Sequence, residues 1–158
     1  MKLLLIRHAK SSWDLPFIED LMRPLNERGY KSIEVMSRRS LLTVNLAERV
    51  YVSPAVRAYS TATGLLRTLG ISLSTMVIES RLYEDTASEL SYWLSQLDAW
   101  SGTYWIVGHN PTLERLAEKL SGEKNLVLPT LGCVLLTKVK SENRWNLVEL
   151  DYPKNRNG

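Results

Sequence analysis

The sequence has almost none of the residues that build disulfide frameworks, thiolate metal sites or membrane spans. Its single cysteine, Cys133, excludes an internal disulfide and a zinc site made of cysteines. Because Cys133 stands in an apolar run, we expect a buried strand thiol. No apolar run approaches the roughly 18 residues of a membrane span. These absences favour a cytoplasmic protein that makes no contact with a membrane.

Charge of one sign is also scarce. The 20 basic and 17 acidic residues give a net charge of +3, and no block of like charges interrupts the chain. Proteins that bind nucleic acids or anionic lipids concentrate positive charge on one segment or face. The sequence therefore predicts no nucleic-acid partner.

The length and composition are those of one ordinary globular domain. The chain has 158 residues, of which 44% are hydrophobic and 23% charged, enough apolar material for a core without disulfides or metals. We expect a single domain over residues 1–150, a polar tail over residues 151–158, and a monomer.

Short apolar runs of strand length alternate with segments of helical periodicity. The predicted strands cover residues 3–6, 50–52, 75–78, 104–107, 131–139 and 145–150. Four helices are predicted. The first covers residues 26–42 with Asn26 as its cap, and the second has Ser53 as cap and Pro54 as first residue and ends at Gly70. The third follows a Thr86/Glu89 capping box, and the fourth repeats the cap-then-proline signal at Asn110-Pro111. This alternation predicts a three-layer α/β/α fold, in which a mostly parallel sheet carries helices on both faces.

Chemically active side chains follow three of the predicted strands. The two histidines of the chain, His8 and His109, both stand at strand ends, where ligands bind in such sheets. Arg7 precedes the first histidine, and Arg57 falls in the first turn of a predicted helix. A cation at a helix N-terminus is unfavourable by the helix dipole, which favours an anion there. Because a guanidinium fork matches phosphate oxygens, the sequence predicts a phosphate site.

Three motifs around these residues resemble the histidine phosphatase superfamily, which has the phosphoglycerate-mutase-like fold. Residues 5–9, Leu-Ile-Arg-His-Ala, resemble the Arg-His-Gly signature of that family, with Ala9 in the glycine position as in its small SixA-type branch. Residues 53–57, Ser-Pro-Ala-Val-Arg, are similar to the second motif of the family. Residues 108–111, Gly-His-Asn-Pro, are similar to the third. The segment Arg23-Pro24-Leu25, followed by Gly29, is similar to a further feature of the SixA-type branch.

The resemblance implies a metal-independent phosphatase that needs no cofactor and forms a phosphohistidine intermediate on His8. Arg7, Arg57 and His109 would hold the phosphoryl oxygens. Ser11 would either contact the phosphate or turn the loop. His8 must be neutral, because an imidazolium has no lone pair, and we expect its other ring nitrogen to donate to a carbonyl or carboxylate.

The proton donor for the leaving group is left open. Many members of the family use a glutamate after the third strand, and Glu84 is the matching residue. Asp14 and Asp20 are rivals in the loop after His8, and the SixA-type branch can lack this acid. An imidazole leaves more readily than an alkoxide, so a phosphohistidine substrate would tolerate a missing acid. Residues 81–86 are too few to form a lid, so the site would be open to a phosphorylated side chain of another protein.

The substrate that these features favour is phosphohistidine on a protein. A small phosphate ester, with Glu84 as general acid, is the first alternative. A non-catalytic phosphate-binding module is the second.

Overall fold

One mixed sheet organises the part of the chain that the computed structural model describes, residues 1–97, 101–139 and 141–155. Its order is β3-β2-β4-β1-β5-β6. The strands are β1 (Lys2–Arg7), β2 (Arg49–Val52), β3 (Met76–Ile78), β4 (Thr103–Gly108), β5 (Cys133–Thr137) and β6 (Asn146–Asp151). Strands β1 to β4 are mutually parallel, and β5 runs antiparallel to both β1 and β6. The predicted mostly parallel sheet is confirmed.

Helices cover both faces of this sheet, as the α/β/α prediction requires. They are α1 (Glu27–Met36), α2 (Ser40–Thr43), α3 (Val56–Leu69), α4 (Arg81–Glu84), α5 (Ala87–Gln96) and α6 (Thr112–Ser121). Apolar side chains of α1 and α3 pack on one face, and those of α5 and α6 pack on the other. None of the described helices is long and apolar enough to cross a bilayer.

The two central strands bring the histidine motifs together. Strands covered on both faces need apolar side chains on both sides, which explains the fully buried runs of β1 and β4. Their parallel register pairs Arg7 with Gly108, and the His8 amide donates to the Gly108 carbonyl over 3.0 Å. His8 and His109 therefore leave neighbouring strands at the same edge.

The prediction of one long helix over residues 26–42 is wrong, because the chain forms two helices there. Asn26 caps α1 as predicted, accepting from the Gly29 amide. The backbone at Arg39 is extended, and α2 begins after it. The Arg39 guanidinium donates to the Asp151 carboxylate over 3.2 Å and to the Pro153 carbonyl over 3.1 Å. The contact with Asp151, far along the chain, therefore holds Arg39 in the extended conformation that separates α1 from α2.

The two predicted caps that precede a proline are also wrong. Helix α3 begins at Val56, one residue after Ala55, so Pro54 is not its first residue. The Ser53 hydroxyl accepts from the Ala55 amide before the helix starts. The Asn110 side chain donates to the Leu128 carbonyl over 2.8 Å and does not cap α6. The capping box of Thr86 and Glu89 is confirmed at the start of α5.

The C-terminal segment closes the sheet before it reaches the end of the described chain. Asp151, the first residue of the expected polar tail, is the last residue of β6 and is buried in its pair with Arg39. Residues 156–158 of that expected tail lie outside the described residues.

Gly29 allows α1 to approach the loop that follows β1. A Cβ at this position would overlap the backbone carbonyl oxygen of Lys10. That same carbonyl accepts from the Asn26 amide over 3.0 Å, so it cannot move away without loss of a hydrogen bond. The glycine thus fixes the distance between the helix and the loop after His8.

Replacing Gly29 with alanine is therefore expected to lower the free energy of unfolding by about 1–3 kcal/mol, measured by urea denaturation. Gly64→Ala is the matched control, since it is also a helical glycine. The atoms nearest to its added Cβ belong to the Ile33 side chain, from 3.0 Å, and alanine favours a helix by about 1 kcal/mol over glycine. Equal stability of the two variants would contradict the assigned role of Gly29.

Candidate active site

The carboxyl edge of the central strands borders a cavity of about 240 Å³. It contains the two histidines and four cationic side chains. The lining residues are Arg7, His8, Lys10, Ser11, Trp13, Arg23, Arg57, His109, Asn110 and Thr130. The structure thus gathers five of the residues that the sequence singled out, namely Arg7, His8, Ser11, Arg57 and His109. Glu84, Asp14 and Asp20 are not among the lining residues.

The His8 imidazole is oriented by a backbone hydrogen bond. Its Nδ1 lies 2.7 Å from the Ala9 carbonyl oxygen. Because a carbonyl can only accept, Nδ1 carries the proton, and the lone pair of the neutral ring is on Nε2. The sequence predicted a donor bond of this kind. The Ala9 amide in turn donates to the Thr61 hydroxyl over 2.9 Å, which ties this turn to α3.

Burial keeps the His8 ring unprotonated. Desolvation lowers the pKa of His8 to about 4, and the nearby cations Arg57, Arg7 and Arg23 act in the same direction, while the bond to Ala9 opposes them. At neutral pH the ring therefore offers a free lone pair.

The His109 ring lies beside His8, with 5.2 Å between the ring centroids. Its Nε2 is 2.8 Å from the Ser53 hydroxyl oxygen, and its Nδ1 is buried without a hydrogen-bond partner among the described residues. Burial, followed by the neighbouring His8, lowers the pKa of His109 to about 3. Ser53 sets the tautomer of this neutral ring: a hydroxyl that donates to Nε2 places the ring proton on Nδ1, and one that accepts from Nε2 leaves a lone pair on Nδ1.

Two guanidinium groups complete the site. Arg7 Nη1 donates to the Leu128 carbonyl over 3.1 Å. Arg57 donates to Asp20 twice, to the backbone carbonyl over 2.6 Å and to the carboxylate over 2.9 Å. Among the described residues, the buried Nε atoms of both arginines lack acceptors. Both guanidiniums line the cavity and have more N–H groups than these bonds use, so the site suits an oxyanion.

Asp20 holds the arginines in place. Its carboxylate lies 2.9 Å from Arg57 and 3.3 Å from Arg23, and it accepts from the Tyr83 hydroxyl over 2.7 Å. The Tyr83 hydrogen bond, followed by the Arg57 and Arg23 contacts, lowers the pKa of Asp20 to about 2. A carboxyl of that pKa holds no proton at neutral pH, which disfavours Asp20 as the proton donor.

The loop after His8 is fastened by Arg23. The Arg23 guanidinium donates to the Ser11 hydroxyl and stacks 3.7 Å above the Trp13 ring. Ser11 also forms an isolated bridge with Leu25. Ser11 therefore shapes the loop while it lines the cavity.

The remaining candidate acids lie away from the cavity. Glu84 is exposed at the end of α4, and Asp14 is exposed in the loop. Tyr83, which sequence reasoning missed, is nearer, with its ring centroid 5.6 Å from that of His109. Its position just before Glu84, at the edge where the parallel strands end, was the only signal available in the sequence.

The described residues contain no group of three or more histidine, cysteine, aspartate or glutamate side chains that could hold a metal ion. The charged groups that face the cavity are cations, and these repel a metal ion and attract an anion.

Comparison with known proteins identifies this arrangement. A model of the histidine phosphatase superfamily (branch 1) matches residues 3–121. The chain belongs to this superfamily. No curated protein sequence matches it significantly.

Solved structures of histidine phosphatases share the whole fold. The protein histidine phosphatase SixA in complex with tungstate superposes with a TM-score of 0.85 at 22% identity, covering 97% of each chain. A protein assigned as the phosphohistidine phosphatase SixA of Agrobacterium tumefaciens has a TM-score of 0.79 at 28% identity, covering 96% of this chain and 97% of that one. A protein assigned as an α-ribazole-5'-P phosphatase of Escherichia coli str. K-12 substr. MG1655 has a TM-score of 0.76 at 16% identity, covering 97% and 98%. Superfamily membership and the SixA neighbours support phosphatase activity.

The two histidines of this superfamily member, His8 buried and His109 partly buried, are expected to make its stability depend on pH. Their folded-state pKa values, about 4 and about 3, lie below the usual value of 6.5. Between those values and 6.5 the unfolded chain binds more protons, so stability is full above pH 6.5 and falls as the pH drops. Protonation of each histidine in the unfolded chain is expected to lower the free energy of unfolding by on the order of 2 kcal/mol between pH 7 and pH 5.

Urea unfolding at the two pH values measures this loss. The double variant His8→Gln and His109→Gln lacks both titrating rings, and its stability should change less with pH. If wild type and the double variant lose the same stability between pH 7 and pH 5, the two histidines are not the cause of the loss.

Proposed function

We propose that this protein removes phosphate from phosphohistidine on another protein, through a covalent phosphohistidine on its own His8 and without a metal. The observation that carries the proposal is the His8 ring, whose Nδ1 bond to the Ala9 carbonyl leaves the lone pair on Nε2, in a cavity lined by the guanidiniums of Arg7 and Arg57 and by the His109 ring. The tungstate bound to the SixA neighbour, a tetrahedral oxyanion, supports an oxyanion site here.

In the first step, the His8 Nε2 lone pair attacks phosphorus opposite the leaving group. The new P–N bond forms as the substrate P–N bond breaks, and an imidazole protonated on its second nitrogen departs neutral. Negative charge is spread over the three remaining phosphoryl oxygens, where the guanidiniums of Arg7 and Arg57 and the His109 ring stabilise it.

In the second step, water attacks phosphorus and the P–N bond to His8 breaks. The proton from water stays with inorganic phosphate, and the His8 ring returns to its neutral form. The Ala9 carbonyl holds Nδ1–H throughout, so the same nitrogen is nucleophile and leaving group in successive steps.

The acids of the site favour an imidazole leaving group. No carboxylate lines the cavity in the described residues, Asp20 is ionised, and Glu84 is exposed. An alkoxide must be protonated as it leaves, a step for which enzymes position a general acid. A phosphohistidine substrate does not need that group.

The surroundings of the cavity favour a protein as the phosphate carrier. The loop that contributes Trp13 to the cavity also exposes Leu15 and Phe17, the latter almost completely. Exposed aromatic side chains of this kind are typical of protein-binding surfaces.

The alternative, a small phosphate ester with Glu84 as acid, is favoured by the position of α4. Its Tyr83 reaches the His109 ring, and Glu84 is the next residue in the chain. A small movement of this short helix on binding would therefore bring Glu84 towards a leaving group.

Glu84→Gln separates the two substrate classes. We expect its kcat/KM on a phosphohistidine peptide to stay within about twofold of wild type, because no general acid is needed. Glu34→Gln, an exposed change on α1, is the control. Loss of alkyl phosphate ester hydrolysis by about a hundredfold, in an enzyme that ignores the phosphohistidine peptide, would establish the ester alternative, because the leaving alkoxide needs a proton.

A further inference from the structure

A second cavity of about 230 Å³ adjoins the active-site cavity. Lys10 and Thr130 line both cavities, so the two lie side by side on the surface. Beyond these residues the second cavity extends past the first turn of α1 at Arg28 to Tyr152 and Lys154, in the segment after β6. This flanking groove, as we name the second cavity, leads away from the proposed nucleophile and shares only Lys10 and Thr130 with the lining of the active-site cavity among the described residues.

The flanking groove is electropositive. Lys10, Arg28 and Lys154 are exposed, and none of them has an ion-pair partner among the described residues. No described carboxylate lines the groove. Since like charges along one groove repel each other, a bound anion would relieve that repulsion.

The groove suits a chain of carboxylates better than a single phosphate. The three cations stand on exposed side chains from three separate elements, the loop after β1, helix α1 and the segment after β6. Between them, Tyr152 and Pro153 offer a stiff, largely apolar wall on which a polypeptide can lie.

We propose that the flanking groove binds an acidic segment of the substrate protein, next to the phosphohistidine that enters the active-site cavity. This inference rests on the proposed function and names the chemistry of the partner. Opposite charges at the groove raise the rate of productive encounter and select among phosphorylated proteins.

Two phosphohistidine peptides test the proposal, one with aspartate and glutamate on both sides of the phosphohistidine and one with serine and glycine there. We expect wild type to hydrolyse the acidic peptide with about fivefold higher kcat/KM at low ionic strength. Salt should reduce this preference, because it screens exposed charges.

The variant Arg28→Gln with Lys154→Gln should lose the preference and keep wild-type kcat/KM on the neutral peptide and on an aryl phosphate. Lys10 is left unchanged because it also lines the active-site cavity. The control Arg38→Gln with Lys124→Gln removes the same charge from exposed positions elsewhere and should retain the preference.

Calorimetric titration with the unphosphorylated acidic peptide tests the groove independently of catalysis. Binding by wild type and the control, but not by Arg28→Gln with Lys154→Gln, is the expected result. Equal rates on both peptides, or a preference that survives in that variant, would overturn the inference, as would binding of tripolyphosphate with no binding of the peptide. If aryl phosphate is hydrolysed and both phosphohistidine peptides are ignored, the proposed function itself fails.

Discussion

Replacing His8 with alanine is expected to lower kcat/KM by at least about four orders of magnitude, on both a phosphohistidine peptide and an aryl phosphate. The change removes the neutral ring that the Ala9 carbonyl holds at the cavity, and with it the covalent route. Enzymes that lose a nucleophile typically retain only the stabilisation provided by their binding groups. Steady-state kinetics with both substrates gives the measurement.

The phosphoenzyme itself provides the second readout. Brief mixing of wild type with labelled substrate should leave label on the protein, and His8→Ala should carry none. A phosphorus–nitrogen bond is labile in acid and survives alkali, whereas phosphoserine has the opposite behaviour. An acid-stable adduct, or turnover by His8→Ala at the wild-type rate, would assign the reaction to a different nucleophile.

His109→Ala is the matched control for the loss of an imidazole from the same cavity. The His109 ring is partly buried and its Nε2 is engaged by Ser53, so its loss should slow turnover without abolishing the labelled adduct. Urea unfolding at pH 7 of both variants separates an effect on chemistry from an effect on folding.

The central part of the fold could be predicted because its causes are local in sequence. The apolar runs of β1 and β4 indicate buried strands, and a parallel pair must present its two C-terminal ends at one edge. His8 and His109 directly follow those strands, so their meeting depends on little beyond strand order. The phosphate site was accessible to sequence reasoning for the same reason.

The features that sequence reasoning missed depend on partners far along the chain. The break between α1 and α2 lies at Arg39, whose partner Asp151 is 112 residues away. Tyr83 and Asp20 are joined by a hydrogen bond across 63 residues. Neither contact leaves a periodic or capping signal, because each is created only when the sheet brings its two segments together.

Asp20 illustrates how the structure changes the meaning of a residue. From the sequence it was a rival proton donor, as one carboxyl in the loop after His8. In the structure it accepts from Tyr83 and from two arginines, and its low pKa makes it a permanent anion at neutral pH. Its role in the proposed mechanism is therefore to position Arg57.

Arg57→Lys is expected to lower kcat by about a hundredfold to a thousandfold while changing KM much less. The Arg57 guanidinium is fixed by two bonds to Asp20, and its unpaired Nε lies in the buried part of the site. A lysine ammonium keeps the positive charge but cannot hold Asp20 with one edge and a phosphoryl oxygen with another. The loss should fall on the transition state. There the bonds from phosphorus to the incoming and leaving groups are long, and the negative charge is spread over the three phosphoryl oxygens.

The control is Arg81→Lys, an exposed arginine paired with Glu79 outside the cavity, which should keep wild-type kinetics. Asp20→Asn extends the test, since it preserves the shape of the Arg57 contact but removes the anion that orders it. We expect about a tenfold loss of kcat, smaller than for Arg57→Lys because the guanidinium itself remains. A normal kcat in Arg57→Lys would mean that charge alone suffices, so that the fork geometry imposed by Asp20 has no part in stabilising the transferred phosphoryl group.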